Sequence, residues 1–167
     1  MKSLKEEFLE ILANYQGILH KVSLVYFKNK FDREDNIQEI IYQLWKSYPT
    51  IKNPDSMGSW IYAVSINTSL SRIKKEARLE YRETIPELSD ESDFMEDLSM
   101  NESLKLLLNS IYHLDELDKS IMLLYLEEKS YDEIAAIIGI SRSNVGVRIS
   151  RAKEALKQNF KIQSHGK

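Results

Sequence analysis

Apolar residues recur along this chain at helical spacing, and most stretches that carry the pattern are bounded by residues that start or stop a helix. Between Leu4 and Tyr26 they fall at Phe8, Ile11, Leu12, Tyr15, Ile18, Leu19, Val22, Val25 and Tyr26, with Gly17 the point where the helix could break. A second stripe, Ile37, Ile40, Ile41, Leu44 and Trp45, follows Asp32, which reads as its N-cap, and Glu34 and Asp35 suit the positive end of a helix. Residues 47–56 contain Pro49 and Pro54 and read as a loop. A third helix is predicted from Ser56 or Met57, with Trp60, Ile61, Val64, Leu70 and Ile73 on its apolar side. Its polar side would carry Ser65, Asn67, Thr68, Ser71, Arg72, Lys74, Lys75 and Arg78. A helical hairpin is expected over Leu104, Leu107, Leu108 and Ile111, then Leu117, Ile121, Leu124 and Tyr125, with Asp115 as the cap between them. The tail after Phe160 is expected to fray.

The most informative stretch runs from Ser130 to Lys157. Ser130 and Glu133 have capping-box spacing, and Ile134, Ile137 and Ile138 then share a face beside the small Ala135. Gly139 sits where a helix must stop and positive φ is needed, and Ser141 is a good N-cap for the next helix. In that helix Val145, Ile149, Ala152 and Leu156 form a stripe, while Arg142, Arg148, Arg151, Lys153 and Lys157 lie off it. A short helix, a glycine turn and a second helix with a basic outer face make the helix-turn-helix pattern. Arg142, Ser143 and Asn144 are then placed to reach base edges in a major groove, where Arg pairs with guanine and Asn with adenine. Arg148 and Arg151 are expected on phosphates. An ordinary amphipathic helix pair with a solvated basic face is the alternative.

Composition narrows the class. The 167 residues include only 5 Gly and 3 Pro, which favours helices over a turn-rich β fold, and 43% hydrophobic residues suffice for real cores. Cysteine is absent, so no disulfide or thiolate metal site can form and a cytoplasmic location is expected. The N-terminal segment does not read as a signal peptide, and no apolar run is long enough to cross a bilayer. The net charge of −3 argues against a nucleic-acid binder, but its distribution does not. Residues 56–82 carry five basic and two acidic groups, 83–102 eight acidic and no basic ones, and 129–167 eight basic and three acidic ones. Two basic blocks separated by an acidic one suggest two nucleic-acid-facing modules on a tether. The expected fold is all-α: a helical domain over 1–82, a flexible acidic linker over 83–100, and a helix-turn-helix domain over 101–161.

Two longer motifs carry a family resemblance. Asp32-Arg-Glu-Asp-Asn-Ile-Gln-Glu-Ile-Ile-Tyr-Gln-Leu-Trp45, followed by Ser59-Trp-Ile-Tyr-Ala-Val-Ser-Ile-Asn67, resembles region 2 of an extracytoplasmic-function (ECF) sigma factor. Leu114-Asp-Glu-Leu-Asp-Lys-Ser-Ile-Met-Leu-Leu-Tyr125 and the stretch from Ser130 through Ala152 resemble region 4. The resemblance spans residues 8–160. It implies a non-catalytic subunit that gives core RNA polymerase its promoter choice. Asp35, Gln38, Glu39 and Tyr42 would dock on the β′ clamp helices, although periodicity alone leaves that face to solvent. Asn67, Thr68, Ser71, Arg72, Lys74 and Lys75 would hold the non-template strand of the −10 element. Arg142, Ser143, Asn144, Arg148 and Arg151 would meet the duplex −35 element, and the hairpin before them the β flap. The family often has an anti-sigma factor, so such a partner is expected, with no cofactor, metal or small-molecule substrate. Four positions depart from the usual pattern: Ile66 and Gly146 where basic residues are frequent, Ser71 for Asp and Asn144 for Thr.

Two readings from other classes compete. A stand-alone helix-turn-helix regulator would be a dimer reading a two-fold site. An enzyme would need a constellation that the sequence lacks: His20, His113 and His165 match no ligand spacing, and no phosphate loop or nucleophile elbow is present.

Overall fold

The computed structural model describes residues 1–51, 56–80 and 102–165. The protein is all-α, with seven α-helices, one short 3₁₀ turn and no strand among the described residues. It divides into two compact helical units, Met1–Ser89 and Asp90–Lys167. The acidic linker expected over 83–100 lies outside the described residues, as does 52–55 of the proline-containing loop.

The N-terminal unit is built from α1 (Leu4–Tyr26), α2 (Lys30–Ser47) and α3 (Met57–Glu80). A capping box starts α1: the Glu6 amide donates to Ser3 Oγ at 3.3 Å and the Ser3 amide to Glu6 Oε2 at 2.8 Å. The helix runs unbroken through Gly17. One interior glycine costs only about 1 kcal/mol, less than the burial of Phe8, Leu19 and Val22 on either side of it contributes. Asp32 is not the N-cap of α2. Asn29 caps instead, its Oδ1 accepting from the Phe31 amide at 2.7 Å and the Asp32 amide at 3.4 Å. Asp32 therefore sits in the first turn, beside the positive end of the helix.

Phe8, Leu19, Ile40, Leu44, Met57 and Ile61 form the core of this unit. Trp45, expected in the apolar stripe, stays 41% exposed and meets Phe8 edge-on at 5.1 Å. Because α3 packs against both α1 and α2, it buries more than one face. Tyr62, Ile66 and Ser65 are therefore interior. Ser65 does not belong to a polar outer face, Tyr62 is a core residue, and burial accounts for an apolar Ile66. At the junction of the three helices Asn36 is fully buried, its Nδ2 donating to Ser23 Oγ at 3.0 Å and Ser69 Oγ at 2.9 Å. One amide thus ties α2 to both neighbours. Slipped registers would leave Nδ2 unpaired as well as Oδ1, which has no partner among the described residues.

The C-terminal unit contains α4 (Glu102–Tyr112), α5 (Glu116–Leu126), α6 (Tyr131–Ile138) and α7 (Arg142–His165). Its core is Leu108, Ile111, Ile121, Leu124, Ile134, Val145, Ile149 and Ala152. Every cap expected in this unit is in place. Asp115 Oδ1 accepts from the Asp118 amide at 2.8 Å, and Ser130 Oγ from the Glu133 amide at 3.1 Å. Gly139 takes φ +83°, and Ser141 Oγ accepts from the Asn144 amide at 3.1 Å. The last helix is longer than expected: α7 continues past Phe160 to His165. No glycine or proline interrupts 147–165, so nothing in that sequence stops propagation. Among the described residues, no helix is long and apolar enough to cross a membrane.

Candidate functional site

Packing α3 against α2 leaves an open groove of ≈ 1020 Å³ along their outer edge. Asp35, Gln38, Glu39 and Gln43 line it from α2, and Asn67, Thr68, Ser71, Arg72 and Lys75 from α3. Residues expected to meet two different macromolecules thus share one groove. Tyr42, 57% exposed, and Lys74, also exposed, belong to the same two sets but do not line it. Glu39 accepts a hydrogen bond from Gln43 Nε2 at 3.0 Å, which holds that wall polar and outward.

Arg72 is the most constrained of these groups. Its Nε donates to Glu76 Oε1 at 2.9 Å, and its Nη2 lies 3.7 Å from both Asp32 Oδ1 and Asp35 Oδ2. The guanidinium also stands 5.3 Å from the centroid of the Phe27 ring. Three carboxylates around one cation leave the cluster net negative. Burial and the neighbouring Glu76 raise the Asp32 carboxyl above its ordinary value; Arg72 pulls it down and Asp35 raises it again.

The second surface is the outer side of the helix-turn-helix. Ser143 and Asn144 are exposed in the first turn of α7. Arg142 is exposed too, with a loose contact of 3.7 Å to Asp132, a surface pair of small worth. One turn further on, Val147 is 48% exposed, and Arg151 is exposed one turn beyond it. An apolar side chain between polar ones can meet a thymine methyl group. Periodicity placed Val147 in no category, and only its exposure marks it.

Arg148, expected on phosphate, is engaged within its own unit. Its side chain is 31% exposed and its Nη1 donates to Asp118 Oδ1 of α5 at 3.0 Å. It pins the recognition helix to the hairpin beneath, and its buried Nε has no partner among the described residues. Burial raises the Asp118 carboxyl, the Arg148 hydrogen bond lowers it, and Asp115 raises it, for a net upward shift. The folded chain holds the Asp118 proton more tightly than the unfolded chain, so this group's contribution is present at low pH and lost as pH rises through its folded pKa. Asp118→Asn removes that loss. The variant should melt with wild type in acid and at least as high at neutral pH, as read by circular dichroism melts across pH; a variant that melts lower at neutral pH than in acid, relative to wild type, would contradict the shift.

Comparison with known proteins adds the following. The family model of sigma-70 region 2 matches residues 11–79 and that of sigma-70 region 4 matches residues 104–156. The chain is similar to the RNA polymerase sigma factor SigV of Bacillus subtilis, with 28% identity over 153 residues, 87% of this chain and 86% of that protein. It is also similar to the ECF RNA polymerase sigma-E factor of Haemophilus influenzae, with 27% identity over 168 residues, 93% of this chain and 88% of that protein. In fold it resembles the sigma factor RpoE of Bartonella quintana, solved in complex with the anti-sigma factor NepR. The TM-score is 0.73 at 18% identity, covering 97% of this chain and 99% of that one.

Proposed function

Because the chain belongs to the ECF RNA polymerase sigma factors, a family that is not a class of enzymes, we propose that it binds core RNA polymerase, recognises promoter DNA and promotes strand opening at initiation. The observation that carries this reading is the pairing, in one chain and in this order, of a polar groove on a region 2 unit with an exposed recognition helix on a region 4 unit. We assign 1–82 to the first, 101–161 to the second and the acidic 83–100 to the connection between them.

Each step rests on binding energy. Asp35, Gln38 and Glu39, with the nearby Tyr42, present an acidic and polar face to the β′ clamp helices. The hairpin of α4 and α5 faces the β flap. Arg142, Ser143 and Asn144 read base edges of the −35 duplex, Arg151 holds phosphate, and Arg148 positions α7 through Asp118. Asn67, Thr68, Ser71, Arg72, Lys74 and Lys75 take the non-template strand of the −10 element. Only an unpaired strand offers them its bases, so this contact favours the melted state. An anti-sigma factor is a further partner. The structurally similar RpoE has one, NepR, bound to it.

In-vitro transcription with core polymerase on genomic fragments tests the reading. The purified chain should co-elute with core polymerase and direct discrete start sites that core alone does not use. Tight, sequence-specific duplex binding by the isolated chain as a stable dimer, without co-elution, would replace this reading with that of a stand-alone regulator.

A further inference from the structure

Resting on the sigma-factor reading, we infer that Asp32 and Glu76 are positioning residues that hold Arg72 away from DNA in the free chain, and that a cationic partner surface docking on Asp35 releases it. Arg72 lies on the wall of the groove expected to receive DNA, yet its guanidinium is occupied on two sides. Nε is bonded to Glu76 at 2.9 Å, and Nη2 is shared between Asp32 and Asp35 at 3.7 Å each. A DNA phosphate would have to displace carboxylates and enter a cluster that carries two excess negative charges. The Arg72 side chain is 20% exposed, so it is within reach of solvent but not free in it.

The geometry also supplies the release. Asp35 is 65% exposed on the wall of the groove formed by α2, the wall expected to meet the polymerase. At 3.7 Å its contact with Arg72 is loose, and exposed pairs of this kind are readily exchanged. A lysine or arginine of a partner that takes Asp35 removes one of the three carboxylates from Arg72. The guanidinium can then swing from Asp32 towards a phosphate, while Glu76 remains its neighbour on the same helix. One charge cluster thereby links the two binding events. By thermodynamic reciprocity, DNA that draws Arg72 away frees Asp35 and strengthens docking by the same factor. The partner is identified by chemistry as a basic protein surface, since an acidic one would be repelled by Asp35 and Glu39 together.

The test uses the full-length chain and a short fluorescein-labelled oligo-dT, because a phosphate contact is independent of sequence. The variant is Asp32→Asn with Glu76→Gln, near-isosteric changes at residues outside both binding sets, with folding checked by circular dichroism. In anisotropy titrations at low salt the free variant should bind roughly three- to fivefold tighter than wild type. Its dependence of log K on log salt should steepen by about 0.7, one added phosphate contact on a single strand. The gain should vanish in an Arg72→Ala background. It should shrink when both chains are bound to core polymerase, where docking on Asp35 has already loosened the hold on Arg72.

An equal gain in the Arg72→Ala background would mean that the carboxylates merely repel DNA, which overturns the hold on Arg72, as would no gain at all. An equal gain with and without polymerase overturns the release step. A chain that fails to bind core polymerase overturns the sigma-factor reading and the release with it, while the free-chain titrations still decide whether Asp32 and Glu76 restrain Arg72.

Discussion

Ile134→Ala should destabilise the C-terminal unit by about 2–5 kcal/mol and take promoter recognition down with it. Ile134 is fully buried in α6, the short first helix of the helix-turn-helix, and among the described residues α6 packs mainly against α5 and α7. Eight residues of helix have little stability of their own, so this side chain is much of what holds α6 in place. Truncation removes the transfer energy of the lost methylenes and leaves a cavity that a capped, glycine-terminated helix cannot easily close. Against a total of about 5–15 kcal/mol for a small domain, such a loss is large. Urea denaturation followed by far-UV circular dichroism should show the midpoint falling with the slope unchanged. Start-site-specific transcription should fall at temperatures where the unit melts. A loss below about 1 kcal/mol would mean that the side chain is not sealed as the structure has it.

Asn144→Ala should cost about 1–3 kcal/mol of discrimination, roughly 5- to 150-fold, at one base pair of the −35 element. Its side chain is exposed in the first turn of α7 while its backbone amide is held by Ser141 Oγ at 3.1 Å. The cap therefore fixes where the side chain points without using any of its hydrogen-bonding groups. Arg142→Ala should behave similarly at a neighbouring base, since its pairing with Asp132 at 3.7 Å is loose and both groups are exposed. Arg151→Ala should instead weaken all promoters alike and lower the salt dependence by about one contact. Transcription from promoters differing by single base pairs separates these cases. If Asn144→Ala leaves every base preference unchanged, the residue does not read sequence.

Recognition of the fold from the amino-acid order went far because the signals are local. Ser130 with Glu133, Gly139 and Ser141 lie within a dozen residues, and each acts on backbone atoms a few positions away. Their geometry is therefore nearly independent of the rest of the chain. The same holds for the stripe of Val145, Ile149 and Ala152, which could face only a core. Local rules misplace the start of α2: Asp32 reads as its cap, and Asn29, three residues earlier and of an equally good capping type, serves instead.

The sequence by itself determined that the protein is helical, that it has a helix-turn-helix near its end, and which order of motifs ties it to its family, because capping, periodicity and charge blocks are read over short distances. Only the tertiary structure decided which polar residues face inward and which cations are free to act. Ser65 is interior because α3 is covered from two sides, and Asn36 because α2 meets both α1 and α3, and no single helical wheel shows that. Arg148 is bound to Asp118, 30 residues away, and Arg72 to Asp32 across two helices. Such pairs follow from how helices are brought together in space, and a charge's partner across that distance leaves no mark on the residues beside it.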